Sequence, residues 1–246
     1  MTSTSSSTSS SPAPPPSSDS EVRNHLALAL DFPDLDEAVR LARGLTPWFG
    51  IAKVGLELYS AAGPEAIERL RALDLAVFAD LKLHDIPNTV ERAARVLGGL
   101  GVTFLNFHTS GGVAMLQAGL AGLAEGAAAA GHVRPLGLGV TVLTSDEDAS
   151  AFATRLDAAI VAGCDGVVCS MHEVAAVKHA RREMIAVVPG VRLASNDRND
   201  QRRIGTPDAV AAAGADVLVV GRAVTAADDP VRVAQEVHVA VARAFA

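Results

Sequence analysis

From residue 25 to residue 244 the chain alternates short runs of Val, Ile, Leu and Ala with amphipathic stretches, and few folds accept that rhythm. The apolar runs at 25–31, 50–55, 75–82, 102–108, 136–143, 166–170, 185–188 and 216–221 have the length and composition of strands. Between them, 34–45, 64–73, 88–100, 113–129, 147–162, 172–182, 207–213 and 230–244 carry helical periodicity. Thr206-Pro207-Asp208 and Asp229-Pro230 read as a capping residue followed by proline in the first helical turn. Alternating strand and helix eight times predicts a single (β/α)8 TIM barrel over 21–246, since such barrels typically need about 250 residues. An open doubly wound sheet is the alternative. It rarely uses eight evenly spaced strands, and no Gly-x-Gly-x-x-Gly turn follows the first run.

Composition narrows the function classes. A chain that is 49% hydrophobic and 20% charged is an ordinary globular protein, and its net charge of -7 argues against nucleic acid or an anionic membrane as partner. Cys164 and Cys169 lack metal or disulfide spacing, which predicts reduced, buried thiols. Residues 1–20 are Ser, Thr and Pro with almost no apolar content, so they are expected to be disordered. They contain neither the basic nor the apolar region of a secretory signal, and no later run is long enough to span a bilayer, so a cytoplasmic location is expected.

The chemistry concentrates in Phe78-Ala-Asp-Leu-Lys-Leu-His-Asp-Ile-Pro-Asn-Thr89. A strand's two-residue period points Asp80 and Lys82 to one face, where neither charge can be buried alone; they must pair, meet water or meet a ligand. Asp85 follows at the strand's end, and Pro87 opens a helix. A structural ion pair would look similar. Lysine usage separates the two: of 21 basic residues only Lys53, Lys82 and Lys178 are lysine, and two of those three end apolar runs. An arginine keeps its proton, whereas an ammonium can give one up, so positions 53 and 82 read as needing lysine chemistry.

In a barrel, the residues after each strand gather at one mouth. That places Asp31, Lys53, Asp80, Lys82 and Asp85 together as a proton-handling half. Pro189-Gly190-Val191-Arg192 and Gly221-Arg222, after the seventh and eighth strands, sit where barrels often hold a phosphate. Each has a plainer reading: Asp31 as a turn cap, Arg222 as a surface cation, Thr144 as an ordinary strand end. His108 is assigned a structural role. The aperiodic stretch 194–203 reads as a lid over the phosphate, with Gln201 its neutral residue best able to reach a ligand.

Asp80-Leu-Lys82-Leu-His-Asp85-Ile-Pro-Asn-Thr89 resembles the signature of the orotidine 5'-phosphate decarboxylase family, which makes UMP. Ala29-Leu30-Asp31, Lys53-Val54-Gly55, Leu143-Thr144-Ser145, Asn199-Asp200-Gln201 and Val220-Gly221-Arg222 extend the resemblance over nearly the whole chain. It implies Lys82 as proton donor with Asp80 beside it, and Asp31 and Lys53 on the ribose and in the charge network. Thr144 would meet the pyrimidine, and Arg192, Gln201, Gly221 and Arg222 the ribose-phosphate. It also implies a homodimer in which Asp85 and Thr89 enter the partner's site, with no cofactor and no metal. Three other readings stay open: a Mg2+-dependent sugar-phosphate decarboxylase or aldolase barrel, a sugar-phosphate isomerase or epimerase barrel, and a non-catalytic nucleotide-binding barrel.

Overall fold

In the computed structural model, which describes residues 21–142, 150–193 and 205–245, eight parallel strands close into a barrel in chain order. They are β1 (Leu26–Ala29), β2 (Ile51–Gly55), β3 (Ala76–Leu83), β4 (Phe104–His108), β5 (Leu136–Val140), β6 (Gly166–Val168), β7 (Ile185–Val191) and β8 (Val217–Val220). The helices are α1 (Leu35–Leu45), α2 (Leu56–Ala62), α3 (Pro64–Arg71), α4 (Pro87–Gly99), α5 (Gly112–Ala129), α6 (Phe152–Ala162), α7 (Val174–Ala180), α8 (Pro207–Ala212), α9 (Arg222–Thr225) and α10 (Pro230–Phe245). The expected TIM barrel is therefore present. The expectation for residues 1–20 lies outside the described residues.

Strand alternation sorts the core into two. Ala27, Ile51, Phe78, Phe104, Leu138, Val187 and Val219 fill the barrel interior, with Phe78 and Phe104 meeting edge to face at 6.0 Å. Leu26, Leu28, Val54, Val77, Leu105 and Val220 point outward under the helices. One step further along three neighbouring strands the inward positions are Lys53, Asp80 and Asn106 instead of apolar residues. The apolar plug thus ends where a polar layer begins, and that layer faces the mouth. At the other end of the barrel the carboxylates of Asp165 and Asp216 accept from the backbone N–H of Gly137 and Ala186, at 2.8 and 2.7 Å, and are neutralised by Arg134 and Lys178.

Several boundaries differ from the sequence reading. Helices α2 and α9 were not foreseen: each is a short segment after a strand, with no long amphipathic period. Strand β7 runs on to Val191 across an irregular register, and α6 begins at Phe152, with residues 143–149 outside the description. Thr206 caps α8 with no side-chain bond to the helix backbone, its side chain bonding Asp208 instead, while Asp229 does accept from the Arg232 N–H at 3.0 Å.

Helices α4 and α5 approach backbone to backbone. A Cβ built on Gly126 would lie 1.9 Å from the Arg95 carbonyl oxygen, and one on Gly122 would lie 2.1 Å from that of Glu91. Ion pairs from Arg95 to Glu91 and Glu125, both 2.6 Å, clasp the contact from outside. Alanine favours a helix by about 1 kcal/mol over glycine, but a backbone carbonyl cannot swing aside as a flexible side chain does. The clash therefore outweighs the propensity, and Gly126→Ala is expected to lose about 1–3 kcal/mol net, as overpacked cores do. A thermal melt that did not fall would contradict this close approach.

Candidate active site

The polar layer at the mouth is a continuous chain of alternating charges. Asp31 sits just beyond β1, and its Oδ1 lies 3.1 Å from Lys53 Nζ on β2. The same ammonium is 3.2 Å from Asp80 Oδ2 on β3, and Asp80 Oδ1 is 2.6 Å from Lys82 Nζ. Parallel pairing of β1 with β2 and of β2 with β3 supplies the spacing. Exposure is graded along the chain: the side chains of Lys53 and Asp80 are 9% and 13% exposed, those of Lys82 and Asp31 30% and 54%. The buried middle of the array is thus paired on both sides, and its two ends reach solvent.

Asp80 is held ionised against its surroundings. Burial, the largest single influence, pushes its carboxyl pKa up; the Lys53 and Lys82 charges and hydrogen bonds from Lys82 and Asn106 together outweigh it and leave the carboxyl below its ordinary value. Gly55 leaves room for the Asp31–Lys53 pair as it stands, because a Cβ there would meet Asp31 Oδ1 at 2.6 Å and Lys53 Nζ at 3.1 Å and the side-chain ends would have to shift.

Lys82 does not sit in a regular strand. Its φ is +50°, in the left-handed region that non-glycine residues seldom enter, and the β3–β4 register shifts between Ala79 and Leu83. Asp80 and Lys82 do meet, but through this irregularity and not through the two-residue period of a regular strand. The Lys82 backbone N–H leaves the ladder and donates to Asn106 Oδ1 at 2.7 Å, while Asn106 Nδ2 donates to Asp80 Oδ1 at 2.7 Å. Sequence reasoning passed over Asn106. The available signal was a lone amide at an inward position of the apolar run Phe104-Leu-Asn-Phe-His108.

The other expected site residues separate into groups. Asp85, just before α4, and Thr89, in its first turn, are exposed; the Asp85 carboxylate accepts from the Ile86 N–H at 2.6 Å. Across the mouth, the Arg192 N–H donates to the Gly205 carbonyl at 3.1 Å, Gly221 caps α9, and the exposed Arg222 lines a polar groove of mixed charge with Asp228, Asp229, Arg232 and Glu236. Because β8 pairs with β1, the Gly221-Arg222 end of the mouth adjoins the Asp31 end of the array. Thr144, Gln201 and the stretch 194–203 lie outside the described residues.

His108 ends β4 half-buried, with the His84 ring 5.6 Å away. Burial first, then the charges of His84, Lys82 and Arg155, lower its pKa, so it is neutral at pH 7. Both cysteines are free and buried, with burial pushing each thiol up to about 12, which leaves no thiolate nucleophile among them. Among the described residues no group of three His, Cys, Asp or Glu is arranged to hold a metal ion, and no helix is long and apolar enough to cross a membrane.

Comparison with known proteins places the chain in a family. The family model described as "Orotidine 5'-phosphate decarboxylase / HUMPS family" matches residues 24–237. The orotidine 5'-phosphate decarboxylase of Moorella thermoacetica is 44% identical over 229 residues, covering 87% of this chain and 91% of that protein. That of Nitratidesulfovibrio vulgaris is 46% identical over 232 residues, covering 83% and 92%. Among solved structures, the orotidine 5'-phosphate decarboxylase of Lactobacillus acidophilus superimposes with a TM-score of 0.71 at 33% identity, over 88% of this chain and 98% of that one. A family match over most of the barrel, close relatives along nearly their full length and the charge array at the expected strand ends lead to one conclusion: the chain belongs to the orotidine 5'-phosphate decarboxylase / HUMPS family.

Proposed function

We propose that this protein converts orotidine 5'-phosphate to UMP and CO2, and that the Lys53–Asp80–Lys82 array carries the reaction. The supporting observation is the 2.6 Å contact of Lys82 Nζ with an ionised, largely buried Asp80 whose other oxygen is occupied by Lys53. Loss of CO2 from C6 of the pyrimidine breaks a C–C bond and leaves its electron pair on carbon, with no adjacent carbonyl placed as a simple sink. The protein must stabilise that charge itself. A fixed ammonium at C6 does so electrostatically, then transfers its proton to the carbon; the resulting amine regains a proton from solvent. Asp80 keeps Lys82 aimed, and it faces the substrate carboxylate, an arrangement that becomes more favourable as that carboxylate departs as neutral CO2. No metal or organic cofactor enters this scheme.

Asp31 and Lys53 are assigned to the ribose, Thr144 to the pyrimidine, and Arg192, Gln201, Gly221 and Arg222 to the ribose-phosphate. The pairing of β8 with β1 supports this division, since it sets Gly221 and Arg222 beside the carboxylate assigned to the ribose. The net charge of -7 speaks against a nucleic-acid partner.

The direct test follows the ultraviolet absorbance of orotidine 5'-phosphate mixed with purified protein and excess EDTA. Conversion to UMP is expected. A folded protein that binds UMP but leaves the substrate intact would sink this reading, and activity restored only by Mg2+ would transfer it to the metal-dependent sugar-phosphate group.

Asp85 and Thr89 are proposed to complete the site of a second copy of the chain. Both are exposed and flank Ile86, which is 66% exposed. Mixing inactive Asp85→Ala and inactive Lys82→Ala chains should then restore part of the activity, because a mixed dimer holds one site with neither lesion. No recovery after verified subunit exchange would rule out a shared site.

A further inference from the structure

Asn106 lies outside the Asp-x-Lys-x-x-Asp signature, yet its side chain joins the signature's two central residues. Nδ2 donates to Asp80 Oδ1 and Oδ1 accepts from the Lys82 backbone N–H, each at 2.7 Å. Both ends of one planar amide are used, and the two contacts together define its orientation. An amide offers a donor and an acceptor on the same fork. Aspartate has the same shape but would set an anionic oxygen against Asp80, and leucine fills similar space with neither function.

The second contact falls where the backbone is strained. Lys82 at φ +50° is in a conformation that costs on the order of 1–3 kcal/mol and persists only where the surroundings enforce it. The β3–β4 ladder breaks its register there, so the Lys82 N–H has no ladder carbonyl, and Asn106 Oδ1 supplies the acceptor in its place. Asn106 itself is 0% exposed and so presents no surface to a ligand entering from solvent. Its influence must pass through the residues it touches.

From this geometry we infer that Asn106 is a positioning residue for the decarboxylation: it fixes the left-handed turn of Lys82 and one oxygen of Asp80, so that the ammonium projects into the mouth along one line. The inference rests on the decarboxylase reading above. It also explains how Asp80 divides its two oxygens. Oδ1 is filled by Lys82 and Asn106, and Oδ2 is left to Lys53.

Two variants and two readouts test it. Asn106→Asp keeps the acceptor for Lys82 and loses the donor to Asp80; Asn106→Leu loses both. In each, kcat is expected to fall on the order of 10²-fold, the scale of a misplaced catalytic group, while KM and the affinity for UMP stay close to wild type. Independently of turnover, the Asp80 carboxyl pKa read by 13C NMR should rise in Asn106→Leu, which loses one hydrogen bond to the charged form. It should rise further in Asn106→Asp, where a like charge is added.

Folded variants with a lowered melting temperature but wild-type kcat and an unmoved Asp80 titration would overturn the inference, since that is the signature of a structural amide. Failure of both variants to fold would overturn it equally, because Asn106 would then serve the barrel and not the aim of two side chains. A wild type inactive on orotidine 5'-phosphate would instead sink the decarboxylase reading, and the titration alone would then decide whether Asn106 governs Asp80.

Discussion

Lys82→Ala should bind UMP and leave orotidine 5'-phosphate unconverted. The substitution removes both contributions assigned to the ammonium at once. A positioned proton donor is worth about 10²–10⁴-fold, and one preorganised electrostatic donor about 10²–10³-fold. The two act on the same atom and do not multiply fully, so the fall in kcat is expected on the order of 10⁴-fold, below the full product of up to about 10⁷-fold. Alanine is the informative choice because it keeps the cost of φ +50° that any side chain meets there, so the backbone is not released as it would be by glycine. Single-turnover absorbance with the variant in excess reads the chemical step directly. A loss of only a few fold would remove Lys82 from the centre of the mechanism and favour a barrel in which the array serves another purpose.

The second large effect is that of Asp80→Asn, which should show in both turnover and stability. Asparagine keeps the shape but leaves Lys82 without a carboxylate, and Lys53 with Asp31 alone. Turnover should fall about 10²–10³-fold as the ammonium loses its aim. Breaking a buried pair by removing one partner typically costs about 3–5 kcal/mol, and the lower end applies here because Lys82 is partly solvated and Lys53 keeps a second partner.

The sign of the pH dependence follows from the depressed carboxyl. A group whose folded-state pKa lies below its unfolded value contributes stability above the unfolded pKa and loses it as pH falls through the folded one. The gap between wild type and Asp80→Asn should therefore be constant above about pH 5 and close as pH drops below about 4. The single tryptophan, Trp48, is 4% exposed and reports unfolding in urea by fluorescence. A gap that widened on acidification would mean that Asp80 is not held ionised by its neighbours.

How much of this was legible beforehand depended on the range of the signal. The barrel was readable because its evidence is repeated and local: each strand is a short apolar run, each major helix a periodic stretch, and repetition made the closed architecture the economical solution. The short helices α2 and α9 escaped because their few residues hold shape mainly through packing. Asp31, Lys53, Asp80 and Lys82 were readable because a charge at the end of an apolar run is anomalous in one dimension.

Asn106 and Gly55 were not singled out, for a different reason. Neither one's surroundings are readable from its own strand alone: the partners of Asn106 lie 24 and 26 positions back along the chain, and Gly55 matters for the space it leaves where Asp31 meets Lys53. The sequence by itself determined the architecture, the residue types of the charge array and the strand ends that carry them, because hydrophobic periodicity and the cost of an unpaired buried charge operate on neighbours. Only the tertiary structure decided the left-handed turn at Lys82, the division of Asp80's two oxygens and the place of Asn106 between them. Those depend on the register of β3 against β4, and register is settled by the closure of the whole barrel and not by either strand alone.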